Sequence, residues 1–263
     1  MPVVMAHQSR AAGFSLATYT PPLRLEAISP ALPDMKITCL CPTFQRVELL
    51  EEALWCFLQQ THENRSLYIC NDDPNVRLVF NDSRVVIENL PYRFKTLFEK
   101  RNYMIRNLSG YVVMHWDDDD IYAPWAIEVA VKYKQKSAKE FVCFSPYYKG
   151  NALKNRLLDY PSELFSGSLI DADAWILFGG IPEPEKNKGI CEEELAKKFK
   201  DAGMFDVARI EKNEIFYLWR KTCFRKTWDR SHPNDYKYLP ERKVKEIQLK
   251  PHLNKDSRIF GYK

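Results

Sequence analysis

The chain has 263 residues, 45% of them hydrophobic, with 39 Lys and Arg against 35 Asp and Glu, so a folded α/β domain with a sizeable core is expected and a disordered polyelectrolyte is excluded. No run approaches the roughly 18 to 20 apolar residues that cross a bilayer, so no integral membrane segment is expected. Seven cysteines, odd in number, without a C-x-x-C pair and mostly set in apolar runs, fit a reducing, cytoplasmic setting and speak against a zinc site.

Residues 1 to 34 hold five prolines and no periodicity. They read as an irregular leader lacking the charged start and apolar core of a secretory signal. From Lys36 the pattern changes. "KITCLC" reads as a buried strand, and "VELLEEALWCFLQQ" as a helix with Leu50, Ala53, Leu54, Phe57 and Leu58 on one face. "SLYIC" and "RVVIE" read as strands, "FKTLFEKRNYMIRNL" as a second amphipathic helix and "YVVMHW" as a fourth strand. "PWAIEVAVKYKQK" is a helix whose Pro124 suits a first turn. Beyond Lys139 the rhythm loosens. "FVCFSPYY" reads as a strand, "GSLIDADAWILFGG" as a strand or short helix entering a turn, "CEEELAKKFKDAG" as a helix closed by Gly203, and "DVARIEKNEIFYLWR" as a hairpin. From Arg220 to Lys263 there are 13 Lys and Arg against 5 Asp and Glu, a local +8 interleaved with aromatics. That tail is a possible footprint for nucleic acid or a phosphorylated ligand, or a solvated segment packing a few rings on the core.

Alternating strands and helices predict a mostly parallel sheet with right-handed crossovers, and such sheets bind ligands at the carboxyl ends of their strands. Three polar clusters fall there: Pro42 to Arg46, Asn71 to Asn75, and the four aspartates Asp117 to Asp120. Adjacent carboxylates repel by roughly 1 to 4 kcal/mol per close pair. A hard divalent cation, Mg2+ or Mn2+, sharing its shell with substrate phosphates would remove that repulsion. An acidic loop capping the helix near Pro124 is the alternative.

"ITCLCPTFQR", "YICNDDPN", "KRNYMIRNLSGYVVMHWDDDDIYAP" and "GSLIDADAW…FGG…CEEELAKKFKDAG" together resemble, in order and spacing, the inverting family 2 glycosyltransferases of GT-A fold, over roughly Lys36 to Arg220. The resemblance implies a nucleotide-sugar-binding half over 35–139, an acceptor-binding and catalytic half over 140–219, and a basic tail over 220–263. It places Pro42, Thr43, Phe44 and Arg46 at the nucleotide, and Asp72 at the base, with Asn71 departing from the usual first acid. Arg101 and Asn102 would lie near the diphosphate or ribose, Asp117 at ribose and metal, Asp118 beside it, and Asp119 on the metal. His232 would be a tail ligand near metal or diphosphate, and Arg220 and Trp175 lesser contacts to diphosphate and acceptor. The catalytic base falls on Glu192, with Cys191 where the family usually has Glu. Periodicity agrees: Glu193 and Glu194 have Lys197 and Lys198 four residues on, a solvated face, whereas Glu192 shares the inward face with Leu195 and Phe199 and has no evident basic partner. A partly buried first-turn glutamate is the bland reading of the same position.

The function implied is a metal-dependent inverting transfer from a UDP-linked sugar to a saccharide or glycoconjugate. A phage-type transfer to hydroxymethylated bases in DNA is the alternative acceptor chemistry. A nucleotidyltransferase would need a glycine-rich phosphate loop, and "CPTFQR" has no glycine; an inactive nucleotide-sugar-binding protein would keep the same rim.

Overall fold

The computed structural model describes residues 35–150, 156–158, 165–182, 191–220, 244–254 and 260. The leader, His232 and most of the basic tail lie outside the described residues. Among the described residues no helix is long and apolar enough to cross a membrane.

The first strand, β1 (Ile37–Thr43), is buried along its whole length, as a central parallel strand covered on both faces must be. Helix α1 (Val47–Leu58) buries Leu50, Ala53, Leu54 and Phe57, the face its periodicity indicates. Strands β2 (Arg65–Asn71), β3 (Val76–Val79) and β4 (Val85–Asn89) follow. Helix α2 (Leu97–Ile105) starts at Thr96, whose hydroxyl accepts from the Glu99 amide at 3.0 Å, while the Glu99 carboxylate accepts from the Lys95 amide at 3.0 Å. This reciprocal cap quiets amides that the helix leaves unpaired. Next come β5 (Val112–His115), β6 (Ile121–Tyr122), α3 (Ala126–Ser137), β7 (Phe141–Ser145), β8 (Tyr147–Gly150) and β9 (Arg156–Leu158). The chain continues through β10 (Leu169–Asp171), α4 (Ala172–Leu177), α5 (Cys191–Asp201), β11 (Phe205–Arg209), β12 (Tyr217–Arg220) and β13 (Lys245–Gln248).

The main sheet has the order β11-β7-β10-β5-β1-β2-β4, parallel throughout except for β10, which runs against both neighbours. Alternating side chains of β1 feed two cores: Cys39 and Cys41 join α1 and α3 on one face, and Leu40 joins α2, α4 and α5 on the other. A four-stranded sheet, β6-β12-β8-β9, begins with the strand that directly follows the acidic turn, and β13 pairs with β3.

Two expectations are corrected. "FVCFSPYY" is not one strand: Pro146 lacks the amide a ladder needs, and the chain passes from β7 in the main sheet to β8 in the small one. "DVARIEKNEIFYLWR" is not a hairpin. β11 pairs in parallel with β7, and a turn of 3-10 helix over Lys212–Glu214 redirects the chain so that β12 joins β6 and β8; burial of Ile210, Ile215 and Phe216 fixes that redirection. Among its described residues, part of the basic tail packs on the core, the second of its two expected readings, though as a strand. β13 adds to β3, Leu249 and Leu253 are buried, and Phe260 packs edge-on against Trp125.

Candidate active site

The carboxyl ends of β1, β2 and β5 meet at one rim, as the parallel order requires. After β1, Gln45 takes a left-handed φ of 55°, an uncommon conformation outside glycine that reverses the chain into α1. Arg46 then lies across the acidic turn, donating one guanidinium nitrogen to Asp118 and another to Asp119. Thr43 donates to the other Asp118 oxygen at 2.7 Å. Pro42 is buried within β1, and the Phe44 ring carries the Arg93 guanidinium at 3.6 Å from its centroid.

The four aspartates diverge. Asp117 accepts from Arg101 at 2.9 Å and from the Ser166 hydroxyl. Asp118 and Asp119 face Arg46. Asp120 turns inward to the Tyr217 hydroxyl and the Arg220 amide, the latter at 2.9 Å. The repulsion that suggested a cation is thus also relieved by arginines and hydroxyls already in the chain. Burial pushes Asp118 up to about 7 despite Arg46, and burial with its acidic neighbours pushes Asp120 well above the carboxylate range. At Asp117 burial acts upward, but Arg101 and Ser166 outweigh it and hold the carboxyl low.

Glu192, in the first turn of α5, sits on the inward side of its helix and accepts from Arg101. Its expected lack of a basic partner is thus corrected: Arg101 comes from α2, a contact only tertiary folding makes. Burial raises the Glu192 carboxyl above its ordinary range, with Arg101 opposing. On the outer face Lys197 pairs with Asp201, and Lys198 donates to the Phe178 carbonyl at 2.8 Å, in place of the expected partners Glu193 and Glu194.

Other expected site residues do structural work. Asp72 is buried, accepting from Lys100 at 2.6 Å and from the Phe94 amide at 3.1 Å. Its neighbour Asp73 instead lines a small cavity with Thr43, Gln45, Arg46, Val47 and Asn71. The Asn102 amide is taken up by Trp175 and by both backbone groups of Ile181, and Trp175 is buried among Phe165 and His115 rather than offered to an acceptor. Arg220 reaches Glu52 at 2.7 Å and the Asp119 carbonyl. Ser166, on Asp117, and Arg93, on Phe44, reach the rim without having been expected there. Asp73 was legible as the second acid of "NDDPN"; nothing in the sequence singles out Ser166.

Among the described residues no cluster of three or more His, Cys, Asp or Glu side chains is disposed around a metal position. What the rim does offer is two carboxylates with side chains 18% and 16% exposed, Asp117 and Asp119. Hard oxygen donors in that number fit an ion that completes its shell from a diphosphate and water.

The family model for glycosyl transferase family 2 matches residues 38–183. A curated relative, an uncharacterized glycosyltransferase of Rickettsia conorii, is 27% identical over 145 residues, which are 52% of this chain and 23% of that protein. The chain thus spans about a quarter of the length of that relative. Among solved structures, Staphylococcus aureus TarS 1-349 in complex with UDP-GlcNAc superposes with a TM-score of 0.54 at 15% identity, covering 71% of this chain and 59% of that one. A mannosyltransferase from Pyrobaculum calidifontis in complex with GDP-Man and Mn2+ does so at 0.51 and 14%, covering 71% and 57%. At these identities the structural likeness shows the fold, and the family match over more than half the sequence adds the membership: the chain is a GT-A-fold member of glycosyl transferase family 2.

Proposed function

We propose that the chain transfers a glycosyl group from a UDP-linked sugar to an acceptor hydroxyl of a saccharide or glycoconjugate, with inversion at the anomeric carbon. The observation that carries this reading is Arg101. One guanidinium holds Asp117 on the donor rim and Glu192 on α5, so donor-side and acceptor-side carboxylates form one unit about a shared cation.

Glu192 is the base. Burial makes its carboxylate more basic than a solvated glutamate, while Arg101 keeps it ionised and aimed. As the acceptor oxygen forms its bond to the anomeric carbon, Glu192 takes the hydroxyl proton and the sugar–phosphate bond breaks with its electron pair on the diphosphate. A single displacement inverts the centre. On the donor side Asp73, in the cavity beside Thr43, is the carboxylate placed to read the base, in preference to the internally paired Asp72. A divalent cation held by Asp119, with Asp117 beside it, would supply positive charge at the departing diphosphate. The UDP-GlcNAc complex of TarS supports a uridine donor, and the Mn2+ in the mannosyltransferase complex supports the ion.

The test is calorimetric titration with UDP and Mn2+, followed by donor hydrolysis by the wild type and Glu192→Gln. Binding retained with hydrolysis reduced by about 100-fold or more is expected for loss of a general base; unchanged hydrolysis removes Glu192 from the reaction.

A further inference from the structure

Arg46 belongs to two places at once. Its guanidinium spans Asp118 and Asp119, yet the same side chain lines the donor-side cavity with Thr43 and Asp73. Among the described residues its Nε is buried and has no hydrogen-bond partner, so the pairing with Asp118 and Asp119 leaves one of its donors unused. Gln45, directly before it, takes a left-handed φ of 55°.

A guanidinium and a divalent cation bound to the same Asp119 would compete for the same oxygen atoms and the same charge. A nucleoside diphosphate changes that balance, because it brings oxygen ligands for the ion and pairs of phosphate oxygens that the planar guanidinium can bond in bidentate fashion. We propose that Arg46 is a built-in competitor for the divalent cation, holding Asp118 and Asp119 until the donor's diphosphate takes over its guanidinium. Ion and nucleotide then bind as a pair, each strengthening the other by the same factor. The inference rests on the donor-binding reading above and adds to it an order: the bare rim prefers its own arginine to free metal.

Electron paramagnetic resonance of free Mn2+ during titration of the full chain reads this directly, without turnover. For the wild type, Mn2+ retention is weak alone and rises about tenfold or more with UDP, the size of an ordinary coupling between sites. For Arg46→Gln, Mn2+ binds about tenfold tighter without nucleotide and gains less from UDP, since removing the competing charge leaves the carboxylates to the ion. Arg46→Lys, a single point charge that cannot span both carboxylates in the same way, falls between the two and serves if the glutamine variant melts early. Asp119→Asn abolishes retention in every background. If Arg46→Gln and Arg46→Lys bind Mn2+ no better than wild type without nucleotide while UDP still promotes binding, the competitor role is overturned and the donor reading stands. If no protein retains Mn2+ even with UDP, the metal part of the donor reading fails and the competition with it.

Discussion

Replacing Asn102 by alanine separates a ligand contact from a structural joint. Its Oδ1 accepts from Trp175 Nε1 at 3.0 Å and from the Ile181 amide at 2.9 Å, and its Nδ2 donates to the Ile181 carbonyl at 2.7 Å. Trp175 is 1% and Ile181 2% exposed, so water does not readily replace the amide. Three lost bonds at about 1 kcal/mol each, rising where a donor stays dry and unpaired, give a loss of about 3 to 6 kcal/mol. In a domain of this size each kcal/mol moves the midpoint by about 2 to 4 °C, so Asn102→Ala should melt at least about 6 °C below wild type. Circular dichroism melts with and without UDP, paired with calorimetry of UDP binding below the transition, test this. An alanine variant that melts with the wild type while UDP affinity drops tenfold would refute the structural role and restore Asn102 to the diphosphate.

Gly180→Ala strains the same joint from the other side: the added Cβ would stand 2.2 Å from Asn102 Oδ1 at a φ of 73°, so the variant should lose stability by about 2 kcal/mol or more on chemical denaturation. Asp72→Asn removes the partner of buried Lys100 and should cost about 3 to 5 kcal/mol in urea melts, whereas Asp73→Asn should melt near wild type and weaken UDP binding in calorimetry. Catalysis should require ionised Glu192. Because its pKa is raised, the rate falls as pH drops through a value above the ordinary glutamate range, and the acid limb of a kcat profile should lie above about 4.5. Arg101→Met removes the opposing cation and should move that limb higher still; a limb that moves down would contradict the placement of Arg101 against Glu192.

The fold was largely readable from the chain because its core strands and helices are long enough to show a period. "KITCLC", "VELLEEALWCFLQQ" and "YVVMHW" each carry a burial pattern that survives in the structure. Readability failed where elements are short or turned by a single residue. The two-residue β6 has no period, Pro146 divides what reads as one strand, and β13 is held by its partner β3 rather than by its own sequence. The rim was legible for a related reason: parallel order places the ends of β1, β2 and β5 together without knowledge of any side-chain contact.

Sequence by itself determined that the ends of β1, β2 and β5 share a rim, that Glu192 faces inward on its helix, and that the acidic run ends a buried strand, since these follow from local periodicity and chain order. Tertiary structure alone decided how the charges pair. Arg46 with Asp118 and Asp119, Arg101 with Asp117 and Glu192, and Lys100 with Asp72 join residues 28 to 91 positions apart, apart from Arg101 with Asp117 at 16. A side chain's partner depends on which elements the fold lays against one another, and no local pattern records that distance.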